Sequence, residues 1–330
     1  MTLYDIRNQI LDVCEEGGTG SELADLLHEL ACRTTSVIDG QPSRLSVRSN
    51  DNEVKVPPMV REVFRADEFH GFESGEEFYL TDGSSLFHLR PSKRQADVCL
   101  SRSFFSKPRS QRESFWAFVL LKLLRCAESY SLHAAGIVSR SGSALLIVGG
   151  SGCGKSTLTI ELIRQGWGYL SDDAVLLRVQ PAGVVALPLR TKFYVDAEAA
   201  ASYEDIPLGE EVPDTAGRHR RRIRIEDVYP EQHMSEGVPH VLLFSKIVSR
   251  AKSTLVPVDR IVALNHLLAG SGPQLFDRGS MARHLGLLKQ LVQQAAAYEL
   301  RAGLDLHRDP AKLVSLLQAA GVQTLWPGSS

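Results

Sequence analysis

Cysteine is scarce in this sequence and carries no pattern. The five residues, Cys14, Cys32, Cys99, Cys126 and Cys153, are odd in number and show no C-x-x-C spacing. That excludes a disulfide framework and a cysteine-based zinc site, and reads as reduced thiols in a cytoplasmic protein. Long apolar runs are missing too. The longest, Phe115 to Leu124, contains Lys122, and Met1 to Gln9 has no basic segment leading into an apolar one. Neither a membrane span nor a secretory leader is expected. Charge of one sign is not in excess either, since 37 basic against 39 acidic residues leave a formal net charge of -2. That balance excludes a globally basic nucleic-acid binder, and no nucleic-acid partner is expected. The sequence shows no internal repeat and no low-complexity tract.

What is present is the composition of an ordinary folded chain, 43% hydrophobic and 23% charged over 330 residues. That suffices for one large domain or two ordinary ones. The most informative stretch is Gly149-Gly150-Ser151-Gly152-Cys153-Gly154-Lys155-Ser156-Thr157. It follows the apolar run Ala144 to Val148 and precedes the amphipathic run Leu158 to Gln165, so it reads as strand, glycine-rich turn, helix. In that setting it fits the P-loop pattern G-x-x-x-x-G-K-[ST]. The glycines let successive N-H groups curl around a phosphate chain, and the start of the next helix adds its positive dipole end. Residues 150 to 157 are therefore the expected nucleotide contacts. Lys155 is expected at the β- and γ-phosphates and the Ser156 hydroxyl on Mg2+.

The rest of the chain falls into two parts by pattern. Residues 1-110 read as a small α+β module, with helices over Tyr4 to Cys14 and Leu23 to Cys32 and an antiparallel sheet built from strands such as Glu77 to Leu80, Ser85 to Leu89 and Ala96 to Leu100. A breaker-rich linker, Phe105 to Ser110, precedes a connecting helix over 111-130. Residues 111-330 read as a nucleotide-binding domain. Within it, Leu132 to Val138 and Ser143 to Val148 form a hairpin, Tyr169 to Leu177 one strand, and Val238 to Val248 with Ser253 to Val258 a strand pair. Helices and one strand fill residues 260-330. An antiparallel hairpin feeding the phosphate loop is unusual, because a parallel strand is the ordinary approach. Asp172 and Asp173 are adjacent carboxylates in an otherwise apolar strand, costly to bury without a cation. Mg2+ held jointly with Ser156 would supply it. Arg218, Arg220, Arg221, Arg222 and Arg224 crowd around His219 in what reads as a polar loop.

His133, the loop at Gly149 to Ser156 and Asp172-Asp173, in that order and spacing, resemble the catalytic domain of HPr kinase/phosphorylase, best over Leu132 to Val175. The resemblance implies an α/β (α+β) fold in which the P-loop sits in a mixed sheet of the HPr kinase and phosphoenolpyruvate carboxykinase type. It implies phosphoryl transfer from ATP to a serine hydroxyl. It further implies that Asp172 is the general base, that Asp173 assists with Mg2+, and that His133 lies beside the base and the transferred phosphate. Relatives of that kind form rings, so self-association is a further implication. Thr157 stands where the family usually carries an acidic residue, and no E-V-R-G-x-G segment follows the aspartates. Phosphorolysis, and HPr itself as substrate, are not expected. The reading is thus an ATP- and Mg2+-dependent kinase acting on a peptide, protein or small-molecule hydroxyl. The alternative is a nucleotide-binding switch that transfers nothing.

Overall fold

The computed structural model describes residues 2–6, 9–16, 20–29, 33–35, 42–50, 55–66, 68–189, 192–196, 210–213, 219–271, 278–309, 311–320 and 322. It is a mixed α/β structure with several sheets and a minority of helices. By its internal contacts the chain divides into two compact units, Met1–Ser129 with Pro273–Ala282, and Tyr130–Gly272 with Arg283–Ser330. Among the described residues no helix is long and apolar enough to cross a membrane.

The first unit is built on one nine-stranded sheet. Its strands are β1 (Thr2–Asp5), β2 (Ile10–Glu16), β3 (Arg33–Thr34), β4 (Ser43–Asn50), β5 (Arg61–Ala66), β6 (Phe69–Ser74), β7 (Glu77–Thr81), β8 (Ser85–Arg90) and β9 (Gln95–Ser101). They run in the order β3-β1-β2-β4-β9-β8-β7-β6-β5. The pairs β2–β4 and β4–β9 are parallel and the others antiparallel, so the sheet is larger and more mixed than expected. Among the described residues, helices α1 (Gly20–Glu29), α2 (Arg102–Phe105) and α3 (Arg109–Cys126) accompany it. Phe118 of α3 stacks on Phe64 of β5, ring centroids 5.5 Å apart. Lys122, the charge that interrupts the apolar run, is buried with its ammonium 3.8 Å from the centre of the Phe78 ring, an attraction to the negative face of the aromatic. The segment expected as a linker and the helix expected as a connector both lie inside this unit.

Tyr4 to Cys14 is not a helix. It forms β1 and β2, paired antiparallel across a tight turn in which Ile6 and Gln9 exchange main-chain bonds of 2.8 and 3.2 Å. The buried residues Tyr4 and Ile6, then Leu11 and Val13, are spaced by two. That period belongs to a strand, and the intervening turn imitates a helical interval.

The second unit contains β10 (Tyr130–Leu132), β11 (Ala134–Val138), β12 (Ser143–Val148), α4 (Lys155–Arg164), β13 (Gly168–Ser171), β14 (Val175–Gln180), β15 (Gly183–Pro188), β16 (Lys192–Asp196), β17 (Glu210–Pro213), β18 (His219–Arg224) and α5 (Ile225–Val228). It continues with β19 (Val238–Ile247), β20 (Thr254–Pro257), α6 (Arg260–Gly270), α7 (Arg278–Gln294, from residue 283 on), β21 (Ala296–Ala302), α8 (Leu304–Arg308) and α9 (Lys312–Ala319). Its main sheet runs β13-β11-β12-β19-β21-β20, and β10-β14-β15 and β16-β18-β17 form two smaller ones. The hairpin β11–β12 is antiparallel, as the pattern predicts, whereas β12 and β19 are parallel. β19 and β20 do not pair with each other, because β21 lies between them. Alternate residues of β12 enter two cores. Leu145 and Ile147 pack with Leu158 and Leu162 of α4, and Leu146 and Val148 with Ala263 and Leu267 of α6. Both faces are covered, which is why the strand reads as an unbroken apolar run.

Two spans expected as single strands are each broken in the middle. Leu132 to Val138 breaks at His133, and Tyr169 to Leu177 breaks at Asp172-Asp173-Ala174. At each break the chain leaves one sheet for another: β10 pairs with β14, and β11 with β13. The arginine-rich stretch expected as a loop is largely strand β18, with Arg218 outside the described residues.

Candidate functional site

The glycine-rich loop runs from the end of β12 to the start of α4. Gly152 and Gly154 have φ of 80° and 89°, which side chains with a Cβ rarely adopt. A Cβ on Gly149 would come within 2.5 Å of Cys153 Sγ and 2.8 Å of the Ser245 carbonyl. The loop therefore closes tightly against the end of β19, and Ser245 Oγ donates to the Cys153 carbonyl at 2.9 Å.

Lys155 is buried at the first position of α4. Its amine turns back to the start of the loop and donates to the carbonyls of Gly149 (2.9 Å) and Gly150 (3.1 Å). It also lies 3.1 Å from His133 Nε2. An ammonium has only donors, so Nε2 must accept there, and the ring proton is then on Nδ1. Nδ1 is 3.3 Å from Asp173 Oδ1, so the same tautomer lets the imidazole donate to that carboxylate. The result is a chain from lysine to histidine to aspartate, with the His133 and Asp173 side chains each 40% exposed.

Asp172 points elsewhere. It is 1% exposed, and the Ser156 hydroxyl donates to its two oxygens at 3.2 and 3.1 Å. The sequence reading groups Ser156 with Asp173 as metal ligands. In the structure Ser156 lies on Asp172 while Asp173 lies on His133.

The strand breaks explain this divergence. Asp173 has φ of 67°, a left-handed turn that sends successive side chains in different directions. The Asp172 N-H donates to the Tyr169 hydroxyl at 2.9 Å, and Ser171 Oγ bonds the Ala174 carbonyl at 2.6 Å. His133 is held by its own N-H, which leaves the strand ladder and donates to the Gly270 carbonyl at the end of α6, 3.0 Å away. A register shift in the β11–β13 pairing between Gly136 and Ile137 lies close by, a common accompaniment of re-aimed side chains.

His133, Asp172 and Asp173 thus lie beside the loop that carries Lys155 and Ser156. Tyr169, Ser171, Ser245 and Gly270 were not anticipated. Ser171 and Tyr169 sit just before the twin acids and offered a local signal, but Ser245 and Gly270 come from distant segments and offered none. Gly150 lines a pocket of about 310 Å³ together with His133.

A carboxylate and a hydroxyl in contact fit a magnesium ion that takes its remaining ligands from water and phosphate. Among the described residues no group of three or more histidine, cysteine, aspartate or glutamate side chains gathers as an all-protein metal cage.

No family model matches the chain, and no curated protein matches it. Among solved structures it is distantly similar to the Hpr(Ser) kinase/phosphatase from Coxiella burnetii. The TM-score is 0.32 and the identity 12%, over 59% of this chain and 92% of that one.

Proposed function

We propose that this chain is an ATP- and Mg2+-dependent phosphotransferase that delivers the γ-phosphoryl group to a hydroxyl acceptor. The observation that carries the reading is the convergence at one glycine-rich loop of two separate polar pairs, Ser156 with Asp172 and His133 with Asp173, with the Lys155 amine on His133. Phosphoryl transfer asks for little covalent help and much positioning of charge. Loop N-H groups and the Lys155 ammonium would hold the terminal phosphates. When bound, Mg2+ would neutralise charge building on the phosphate oxygens. Ser156 and Asp172 are the residues disposed to hold it.

That leaves Asp173 and His133 for the acceptor. Asp173 is 40% exposed and lies 3.3 Å from the imidazole Nδ1, so it can take the acceptor proton while His133 keeps it oriented. Lys155 would shift its donors from the Gly149 and Gly150 carbonyls to phosphate. This assignment exchanges the roles that the family resemblance gives the two aspartates, because Ser156 contacts Asp172.

Steady-state transfer of labelled phosphate at varied Mg2+ tests it. Asp172→Asn should raise the Mg2+ concentration needed for half-maximal rate. Asp173→Asn should lower kcat by about 10²- to 10⁴-fold at an unchanged Mg2+ dependence. The opposite pattern would restore the exchanged roles. Persistent ATP binding with no transfer to any acceptor would favour the nucleotide switch.

A further inference from the structure

The pocket beside the loop bears on what the acceptor is, and the argument rests on the phosphotransferase reading. Its volume is about 310 Å³, and His133 and the Gly149-Gly150 backbone line one part of it. The Lys155 amine contacts those same three residues. His133 faces the acceptor in that reading, so the pocket that it lines adjoins the side of the loop where an acceptor would enter.

The other walls are largely apolar. Val148, Ala269 and Gly270 contribute aliphatic and backbone surface. Phe244 contributes a ring on which His266 stacks, with centroids 4.7 Å apart and planes at 27°. Ser245, Lys246 and Glu299, three of the polar residues that line it, are engaged with the protein. Ser245 Oγ donates to the Cys153 carbonyl. Glu299 takes bonds from Arg301 (2.6 Å) and Lys246 (2.9 Å), and these hold its carboxyl below the ordinary glutamate range, the Arg301 bond foremost. Glu299 and Lys246 offset each other's charge, so this pair gives little reason for a charged ligand to be preferred over an uncharged one.

We infer that the acceptor is a small, uncharged, largely apolar alcohol seated in this pocket with its hydroxyl at the His133 end. The space is at the lower edge of ordinary ligand sites and larger than a lone serine hydroxymethyl group would fill. In the step, the alcohol oxygen forms a bond to the γ-phosphorus while the bond from that phosphorus to the β,γ-bridging oxygen breaks. ADP leaves with that electron pair, and the hydroxyl proton passes to Asp173. ATP and alcohol give ADP, a phosphomonoester and a proton.

The test uses the full chain, 2-phenylethanol as probe, a non-hydrolysable ATP analogue for binding by saturation-transfer NMR, and labelled ATP for transfer. The expected result is that 2-phenylethanol binds and becomes phosphorylated. Ala269→Leu, which fills the pocket from an exposed helical position, should weaken probe binding by about tenfold while the analogue still binds. His266→Ala, which removes the stacked wall without adding bulk, should weaken it as well. Three results overturn the inference and leave the phosphotransferase reading standing: no probe binding with the analogue bound, equal binding in wild type and Ala269→Leu, or transfer to an Ala-Ser-Ala peptide that Ala269→Leu does not slow. Displacement of the probe by adenosine would show a base pocket and would also overturn it. Failure of the wild-type chain to bind the ATP analogue overturns the phosphotransferase reading and the inference together.

Discussion

In the first unit, Asp82 sits in the turn between β7 and β8 and is almost enclosed by its own neighbourhood. One of its oxygens accepts from the N-H and hydroxyl of Ser84, both at 3.0 Å, and from the N-H and hydroxyl of Ser85, at 2.7 and 2.9 Å. The other meets Lys107 at 2.9 Å. In the second unit, Asp172 is as deeply buried, but its hydroxyl partner comes from the start of α4, across a break between two sheets. Burial of a carboxylate is therefore not in itself a sign of chemistry. A carboxylate tied to residues two and three positions onward holds a turn together. One that reaches from a strand joint to a glycine-rich loop ties together segments distant in the chain.

The largest expected effects come from exchanging the two residues' fates. Asp172→Asn and Lys155→Ala should each lower phosphoryl transfer by about 100-fold or more, with little change in the unfolding midpoint. Asp82→Ala should leave transfer nearly intact. It should cost the first unit about 3 kcal/mol, because the Lys107 ammonium and four donors lose their acceptor. Hydrogen exchange at Leu80 and Phe87 reads that loss locally. If Asp82→Ala abolished transfer while exchange at those amides stayed slow, the contrast between the two carboxylates would fail.

A smaller effect follows from pH. Burial pushes the Asp82 carboxyl up, but the Lys107 and serine bonds outweigh it and leave it below the ordinary aspartate range of 3.8. A group depressed in the folded state stabilises fully above its unfolded pKa, and that contribution is lost as pH falls through the folded value. The protection factor at Leu80, which corrects for the pH dependence of free-amide exchange, should accordingly fall below about pH 3.8 in wild type. Asp82→Asn should lack that acid limb. The smallest change is at Asp173. Replacing it by glycine relieves the left-handed backbone and should alter stability by only about 0.5 kcal/mol, yet remove transfer. Calorimetry beside a transfer assay would separate the two.

The sequence made the loop legible because Gly149 to Ser156 is contiguous and its strand and helix flank it directly. The hairpin was legible too, since Ser139 to Gly142 is a turn between two apolar runs. The strand breaks were not. Residues 169 to 177 are apolar on both sides of the aspartates, and continuity of hydrophobicity says nothing about which sheet each half joins. The same limit applied to β21, whose place between β19 and β20 depends on long-range pairing. Tyr4 to Cys14 failed for a different reason: two short strands and a tight turn reproduced helical spacing by accident of length.

The two joints also have a consequence for variation. His133 and Asp173 stand at the ends of strands whose spacing is fixed by ladders on both sides, β10 with β14 and β11 with β13. The far tip of the β11–β12 hairpin is closed locally, by bonds from Ser139 N-H to the Ser143 carbonyl and from Gly142 N-H to the Ser139 carbonyl. Extra residues could be spliced in at Arg140 or Ser141 without stretching the end of the hairpin that carries His133, so length could be gained at the tip while the two joints stay in register.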